Sequence, residues 1–443
     1  VQTAHPRQPE ESKLSKTSIP RTSLAVTLAL ILVACTSASP SPGGGGASAG
    51  ASGGAPSGDP IVVGSTLSLS GAFAATGAIH QLAGEQFVEQ LNANGGLLGR
   101  PVEWMVVDDE SDQAQVSTLY ERLISQDQVD LIMGPYATPN ILAAMAVAER
   151  HGYVLPQHTA VLAPLMTYEC QFPGWSIGPA PNEYVPNMLF DALESLPEPP
   201  QTIAIITNQN GSTDYVSRGL PDDETDPGAI SIAEDRGLDV VLELPYPPGT
   251  TEWGSIAAEI RDANPDVVMN NGLGVDPVGL IEAMQQLDFQ PPMMFSLFPA
   301  PGPPLGLGDA ADGLLSVSIF EGTDAAVEAA GEEVGSIVEE FETNAADADL
   351  PYTTFETQAA ASWNAWEILV QGVEGAGELD HEAICSYLGD NGADLTFVGH
   401  VDFPSETNNF WPSNQGIKQI QGGEWVMVWP EEVATGDLQG PSN

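Results

Sequence analysis

The stretch Leu131-Ile132-Met133-Gly134-Pro135-Tyr136-Ala137-Thr138-Pro139-Asn140 joins an apolar strand to a helix through a tight turn. Thr138 reads as the helix N-cap and Pro139 as its first residue, because a Ser/Thr cap followed by proline is a common entry signal. Such a turn points backbone N–H groups at open space. There the partial positive charge of the helix favours a carboxylate or phosphate by roughly 0.3 to 2 kcal/mol.

Strands and helices alternate on both sides of this turn. Upstream, 61–69 and 102–107 read as strands, and the helix 80–92 between them repeats Ala83, Phe87 and Leu91 on one face. Val116, Leu119, Tyr120, Leu123 and Ile124 line the next helix. Downstream come a helix at 140–150 and a strand at 153–155. The pattern then restarts, with strands at 202–207, 239–244 and 267–270 and helices at 255–263 and 277–287. Strands separated by helices predict parallel sheets wound by right-handed crossovers, and two such units predict an α/β chain of two doubly wound lobes around a cleft. Ligands of such sheets sit beyond the carboxyl ends of the strands, where the Thr138 turn lies. After a strand at 314–319 the chain becomes helical. A long helix over 355–373 carries Trp363 and Trp366 as packing residues, and the chain closes in a hairpin about Gln421-Gly422-Gly423.

The 443 residues allow two or three domains, and a hydrophobic content of 42% is that of a folded protein. The charge is unusual: 61 acidic against 11 basic residues give a formal net charge of -50. Four of the bases, Arg7, Lys13, Lys16 and Arg21, precede Cys35, together with only two acids, Glu10 and Glu11, so the remainder is more acidic still. That surface excludes binding to nucleic acid or to an anionic membrane face, both of which need clustered Lys or Arg. It suits either high salt, where screening is strong, or an acidic habitat.

The first 35 residues have the form of a targeting segment. A basic stretch ending at Arg21 precedes the apolar run 24–34, shorter than the ~20 residues of a spanning helix. The run ends in Leu32-Val33-Ala34-Cys35, which resembles the lipobox of bacterial lipoproteins and makes Cys35 the expected lipidation site. Residues 36–58 are almost entirely Ser, Gly, Ala, Pro and Thr, a composition for a flexible tether. The G-x-S-x-G match at 46–50 inside it lacks the strand-to-helix setting of a nucleophile. Two cysteines remain, Cys170 and Cys385. In an exported chain they favour a disulfide over two free buried thiols, and they lack metal-ligand spacing. The acidic run Asp108-Asp109-Glu110-Ser111-Asp112 lacks the spacing and glycine of a calcium loop and reads as an exposed loop.

Three segments carry a family resemblance: Leu91-Asn92-Ala93-Asn94-Gly95-Gly96-Leu97-Leu98-Gly99-Arg100, Val107-Asp108-Asp109, and Met133-Gly134-Pro135. They resemble the amino-terminal half of the branched-chain amino acid binding proteins, the type I periplasmic or extracellular solute-binding proteins of ABC importers. The resemblance runs over about 61–430. It implies two Rossmann-like lobes joined by a three-stranded hinge, with lobe one at 60–172 plus 297–392, lobe two at 173–296 plus 393–430, and a tail at 431–443. It also implies a ligand carboxylate held at Ala137 and Thr138 and by the loop carrying His158 and Thr159, an α-ammonium met by Asp276, and a closing aromatic at Tyr215. Tyr136 and Phe355 are further candidates for the pocket wall. Thr76 stands near a position where the family often has an aromatic, which removes one ring.

The expected protein is a lipid-anchored, monomeric binding protein on the outer face of the membrane. It captures an amino acid or similar small polar solute and delivers it to an ABC permease, without cofactor, metal or covalent chemistry. A ligand sensor of the same fold is the alternative. An exported α/β enzyme is a third class, and no P-loop, dinucleotide fingerprint or nucleophile–base pair supports it.

Overall fold

The computed structural model describes residues 55–441 except 222, 224, 351 and 414. The leader, Cys35 and most of the tether lie outside the described residues.

The chain begins in lobe one with β1 (Ile61–Leu67), α1 (Ala74–Ala93), β2 (Val102–Asp108), α2 (Gln113–Ser125), β3 (Leu131–Ile132), α3 (Thr138–His151), β4 (Leu155–Thr159) and β5 (Gln171–Trp175). The parallel order is β2-β1-β3, and β4 pairs parallel with β5. A bond from Gly134 N–H to the Pro156 carbonyl, 2.7 Å, carries the edge from β3 to β4. Glycine is required at 134, where a Cβ would lie 2.7 Å from that of Gln157.

Lobe two follows with α4 (Pro181–Glu194), β6 (Thr202–Asn208), α5 (Gly211–Arg218), α6 (Ala229–Asp235), β7 (Asp239–Tyr246), α7 (Gly254–Ala263), β8 (Val267–Gly274), α8 (Asp276–Gln286), β9 (Met293–Pro299), α9 (Gly302–Leu305) and β10 (Leu315–Ser318). The chain returns to lobe one for α10 (Asp324–Ala330), α11 (Glu332–Asp347), α12 (Thr357–Ala376), α13 (His381–Asn391) and the short pair β11 (Ala393–Leu395) and β12 (Gly399–Val401). It ends in lobe two with β13 (Gly416–Gln421) and β14 (Glu424–Trp429), which complete the sheet β14-β13-β10-β9-β8-β6-β7. Apolar side chains are buried on both faces of each sheet, as double winding requires.

The three passages between lobes lie between Trp175 and Pro181, between Ser318 and Asp324, and between Trp411 and Gly416. The expected boundaries at 297 and 393 are therefore corrected. β9 and β10 both pair within the lobe-two sheet, and residues 393–411 bury Leu395, Val401, Phe403 and Trp411 against lobe one. The first and third passages run together, with Ser176 Oγ donating to the Trp411 carbonyl at 2.6 Å. Nor do residues 431–441 trail free: the Gln439 carbonyl accepts from Gln419 Nε2 at 2.9 Å.

Three local readings also change. α1 starts at Ala74, six residues earlier than its apolar repeat suggested, and no side chain caps it. Residues 156–159 form a strand rather than a loop, because they pair with β5. In the acidic run, Asp109 is fully buried and accepts from Thr66 Oγ1 (2.9 Å) and Ser68 Oγ (2.6 Å), anchoring the loop after β1.

Candidate functional site

The turn from β3 into α3 opens on the cleft. Its N-cap is Ala137, not Thr138, with φ 72° and ψ 135°. Thr138 is already helical, and its hydroxyl accepts from Val161 N–H at 2.8 Å, a bond across the lobe that displaces local capping. No side chain caps α3, so its first-turn N–H groups stay free for a ligand. The left-handed backbone of a non-glycine residue at Ala137 costs on the order of 1–3 kcal/mol, and such strain concentrates at ligand clamps.

This turn forms one wall of a cavity of about 160 Å³ shared by both lobes. Lobe one contributes Phe73, Tyr136, Ala137, Thr138 and Gln358, and Trp175 stands where β5 leaves it. Lobe two contributes Asn210, Leu273 and Phe298. Phe73 meets Tyr136 edge-on at 5.8 Å, and Trp175 meets Phe298 edge-on at 5.7 Å, so an aromatic pair stands on each side. No charged side chain lines the cavity among the described residues. A larger cavity of about 410 Å³ lies beside the end of α8 and the start of β9. It is walled by lobe two alone and lies away from the carboxyl ends of the strands, so the cavity between the lobes is the better ligand site.

The structure gathers Tyr136, Ala137 and Thr138 at this cavity, and the rest of the expected set falls elsewhere. Thr76 sits beside Tyr136 in the first turn of α1, and Phe73, three residues earlier, puts a ring on the cavity wall. His158 is fully buried behind the turn, with Nδ1 3.3 Å from the Pro135 carbonyl and its ring 4.1 Å from that of His80. Burial lowers its pKa to about 4, so it is neutral at pH 7. Thr159 ends β4, and its side chain lies outside the described residues.

Asp276 opens α8, where its Oδ2 accepts from Asn208 Nδ2 (2.8 Å), the Tyr246 hydroxyl (2.8 Å) and Leu273 N–H (3.1 Å). It stands behind the cavity wall, next to the lining residue Leu273. Tyr215 and Phe355 are corrected to core residues. α5 turns Tyr215 into the apolar cluster with Val185 and Leu189, and Phe355 packs against Phe341 and Phe397 at 5.2 and 4.9 Å. Cys170 and Cys385 are joined in a disulfide within lobe one, Cα atoms 5.3 Å apart.

Phe73, Trp175, Phe298 and Gln358 were not singled out from sequence. Only Phe73, an aromatic in the loop after the first strand, carried a local signal. Among the described residues no cluster of three or more His, Cys, Asp or Glu could hold a metal ion, and no helix is long and apolar enough to cross a membrane.

Residues 60–413 match the family described as periplasmic binding protein. The chain belongs to that family. A Leu/Ile/Val-binding protein homolog from Brucella abortus is 27% identical over 232 residues, 52% of this chain and 55% of the relative, so the chain spans about half the length of the curated relatives it matches. Two solved structures share the fold. The branched-chain amino acid transporter substrate binding protein LivJ from Streptococcus pneumoniae, in complex with isoleucine, has a TM-score of 0.66 at 15% identity, covering 83% of this chain and 98% of its own. A solute binding protein of an ABC transporter from R. palustris, in complex with 4-hydroxybenzoate, has a TM-score of 0.64 at 19% identity, covering 83% and 95%. At these identities the likeness establishes the type I periplasmic binding protein fold. With the family match, the chain is a periplasmic binding protein of that fold.

Proposed function

We propose that this protein is the lipid-anchored, extracellular binding subunit of an ABC importer, and that its two lobes close on a small carboxylate with an apolar body, either an amino acid or an aromatic acid. The observation that carries this reading is the uncapped start of α3, held open by the strained Ala137, facing a cavity walled by Phe73, Tyr136, Trp175 and Phe298. The N–H groups of the turn would hold the carboxylate, and the rings would cover the rest. Closure would exclude water and strengthen the polar contacts. The isoleucine and 4-hydroxybenzoate bound by the two proteins of like fold both fit that description. The anchor rests on Leu32-Val33-Ala34-Cys35 alone.

A thermal-shift panel of branched-chain amino acids, benzoates and their carboxamides tests the reading, since a ligand at 100 times its Kd stabilises by about 2.7 kcal/mol. The acids should raise Tm and the carboxamides should not. No shift with any acid, or turnover of a bound one, would overturn it.

A further inference from the structure

Most polar side chains in the wall of the cavity between the lobes are committed elsewhere. The Thr138 hydroxyl holds Val161 N–H at 2.8 Å, the Tyr136 hydroxyl is turned to Thr76, and Gln358 is paired with His80. Trp175 Nε1, like Gln358 Oε1, is sealed off inside the protein. Asn210 and Ser212 remain, both at the start of α5 in lobe two. Asn210 Oδ1 caps α5 by accepting from Ser212 N–H (3.0 Å) and Thr213 N–H (3.3 Å). Those two bonds fix which end of the amide is oxygen, so Nδ2 is the end left over, a donor without a partner among the described residues. Ser212 is 4% exposed, yet its hydroxyl makes no hydrogen bond among the described residues and is not one of the sealed atoms. The lobes touch here: a Cβ on Gly211 would lie 3.4 Å from Leu162 Cδ1 of lobe one.

We propose that Asn210 and Ser212 are the grip of lobe two on the ligand carboxylate, across the cavity from the free N–H groups of α3, and that the ligand is an apolar monocarboxylate without an α-ammonium. This rests on the cavity being the site of a carboxylate ligand. An amide nitrogen only donates and a serine hydroxyl can donate, so both suit an anion. An ammonium needs acceptors, an ionised one above all. Among the described residues no charged side chain lines the cavity. Asp276 stands behind Leu273, with Oδ2 already shared by Asn208, Tyr246 and the Leu273 N–H. The anion is then the group that both lobes hold, and the rings of Phe73, Tyr136, Trp175 and Phe298 cover the apolar body.

The test is calorimetric titration of the full chain with two pairs that differ only in an α-amino group, 3-methylpentanoate with isoleucine and phenylacetate with phenylglycine. In each pair that binds, the plain acid should bind at least about tenfold more tightly. Ser212→Ala should weaken that acid by about tenfold. Asn210→Asp keeps the cap of α5 but sets a negative charge in place of the donor. It should weaken the acid by about a hundredfold and narrow the gap to the amino acid. An amino acid that binds the wild type as tightly as its plain partner, or more tightly, overturns the proposal and leaves the carboxylate reading standing. So does an acid affinity within about twofold of wild type in either variant, with the fold intact by circular dichroism. Failure of all four compounds to bind the wild type overturns the carboxylate reading itself, and this inference with it.

Discussion

Lys418 Nζ lies 2.8 Å from Glu321 Oε1, with the two side chains 4% and 1% exposed. Lys418 comes from β13 in lobe two and Glu321 from the middle passage between the lobes, so the pair is buried where the chain crosses. It is the only lysine after Lys16, and its ammonium also stands 4.5 Å over the Trp425 ring. Removing one partner of a buried ion pair typically costs about 3–5 kcal/mol, because the other charge is left uncompensated. Lys418→Met should therefore destabilise strongly in urea, and adding Glu321→Gln should recover most of the loss. A single variant within 1 kcal/mol of wild type, on the order of a surface pair, would contradict this.

Glu356 makes stability depend on pH. Burial, with Glu321 nearby and against the pull of Lys418, raises its pKa from 4.5 to about 8. The folded state then keeps a proton that the unfolded state has lost, so this contribution is full below about pH 4.5, falls as pH rises, and is gone above about 8. Glu356→Gln should flatten that slope and be more stable than wild type at pH 8.5. Parallel profiles from pH 5 to 8.5 would show that Glu356 ionises normally.

Ala137 holds φ 72° without being glycine. Ala137→Gly should relieve the strain and raise stability by about 1 kcal/mol, while Ala137→Val should lower it. Urea midpoints decide the order, and a less stable glycine variant would mean the turn is not strained.

Asp276 has two readings. Its Oδ2 already serves three donors in lobe two, and none of those bonds uses Oδ1. If it meets an α-ammonium, Asp276→Asn should weaken isoleucine far more than 3-methylpentanoate in calorimetry. Equal losses would leave it only the internal bonds.

The disulfide closes a separation of 215 residues, yet both ends belong to lobe one. Replacing both cysteines by serine should cost roughly 2–5 kcal/mol and leave ligand affinity nearly unchanged, since the bond does not span the hinge. Melting and titration of the double variant measure both. A lost affinity at low temperature would show that the bond shapes the cleft.

Element order was legible where apolar runs stood between turn signals, as in β1 and β6, because burial on both faces writes a continuous apolar run into the sequence. Element ends and lobe membership were less so. α1 begins after Phe73 with no capping side chain, so nothing local marks its start. The assignment of β10 depends on pairing with Gly416–Gln421, about a hundred residues away. Thr138 carried a true capping signal, but Val161 N–H took its hydroxyl.

By itself, then, the sequence determined the two-lobed α/β class, the family and the turn at Ala137 and Thr138, because periodicity and short motifs are local properties of the chain. Only the tertiary structure decided what faces that turn. Phe73, Trp175, Phe298 and Gln358 come from four distant segments, and ordinary core residues such as Tyr215 and Phe355 share their composition. Which aromatic side chains line a cavity and which fill a core depends on how the lobes pack, and no local pattern records it.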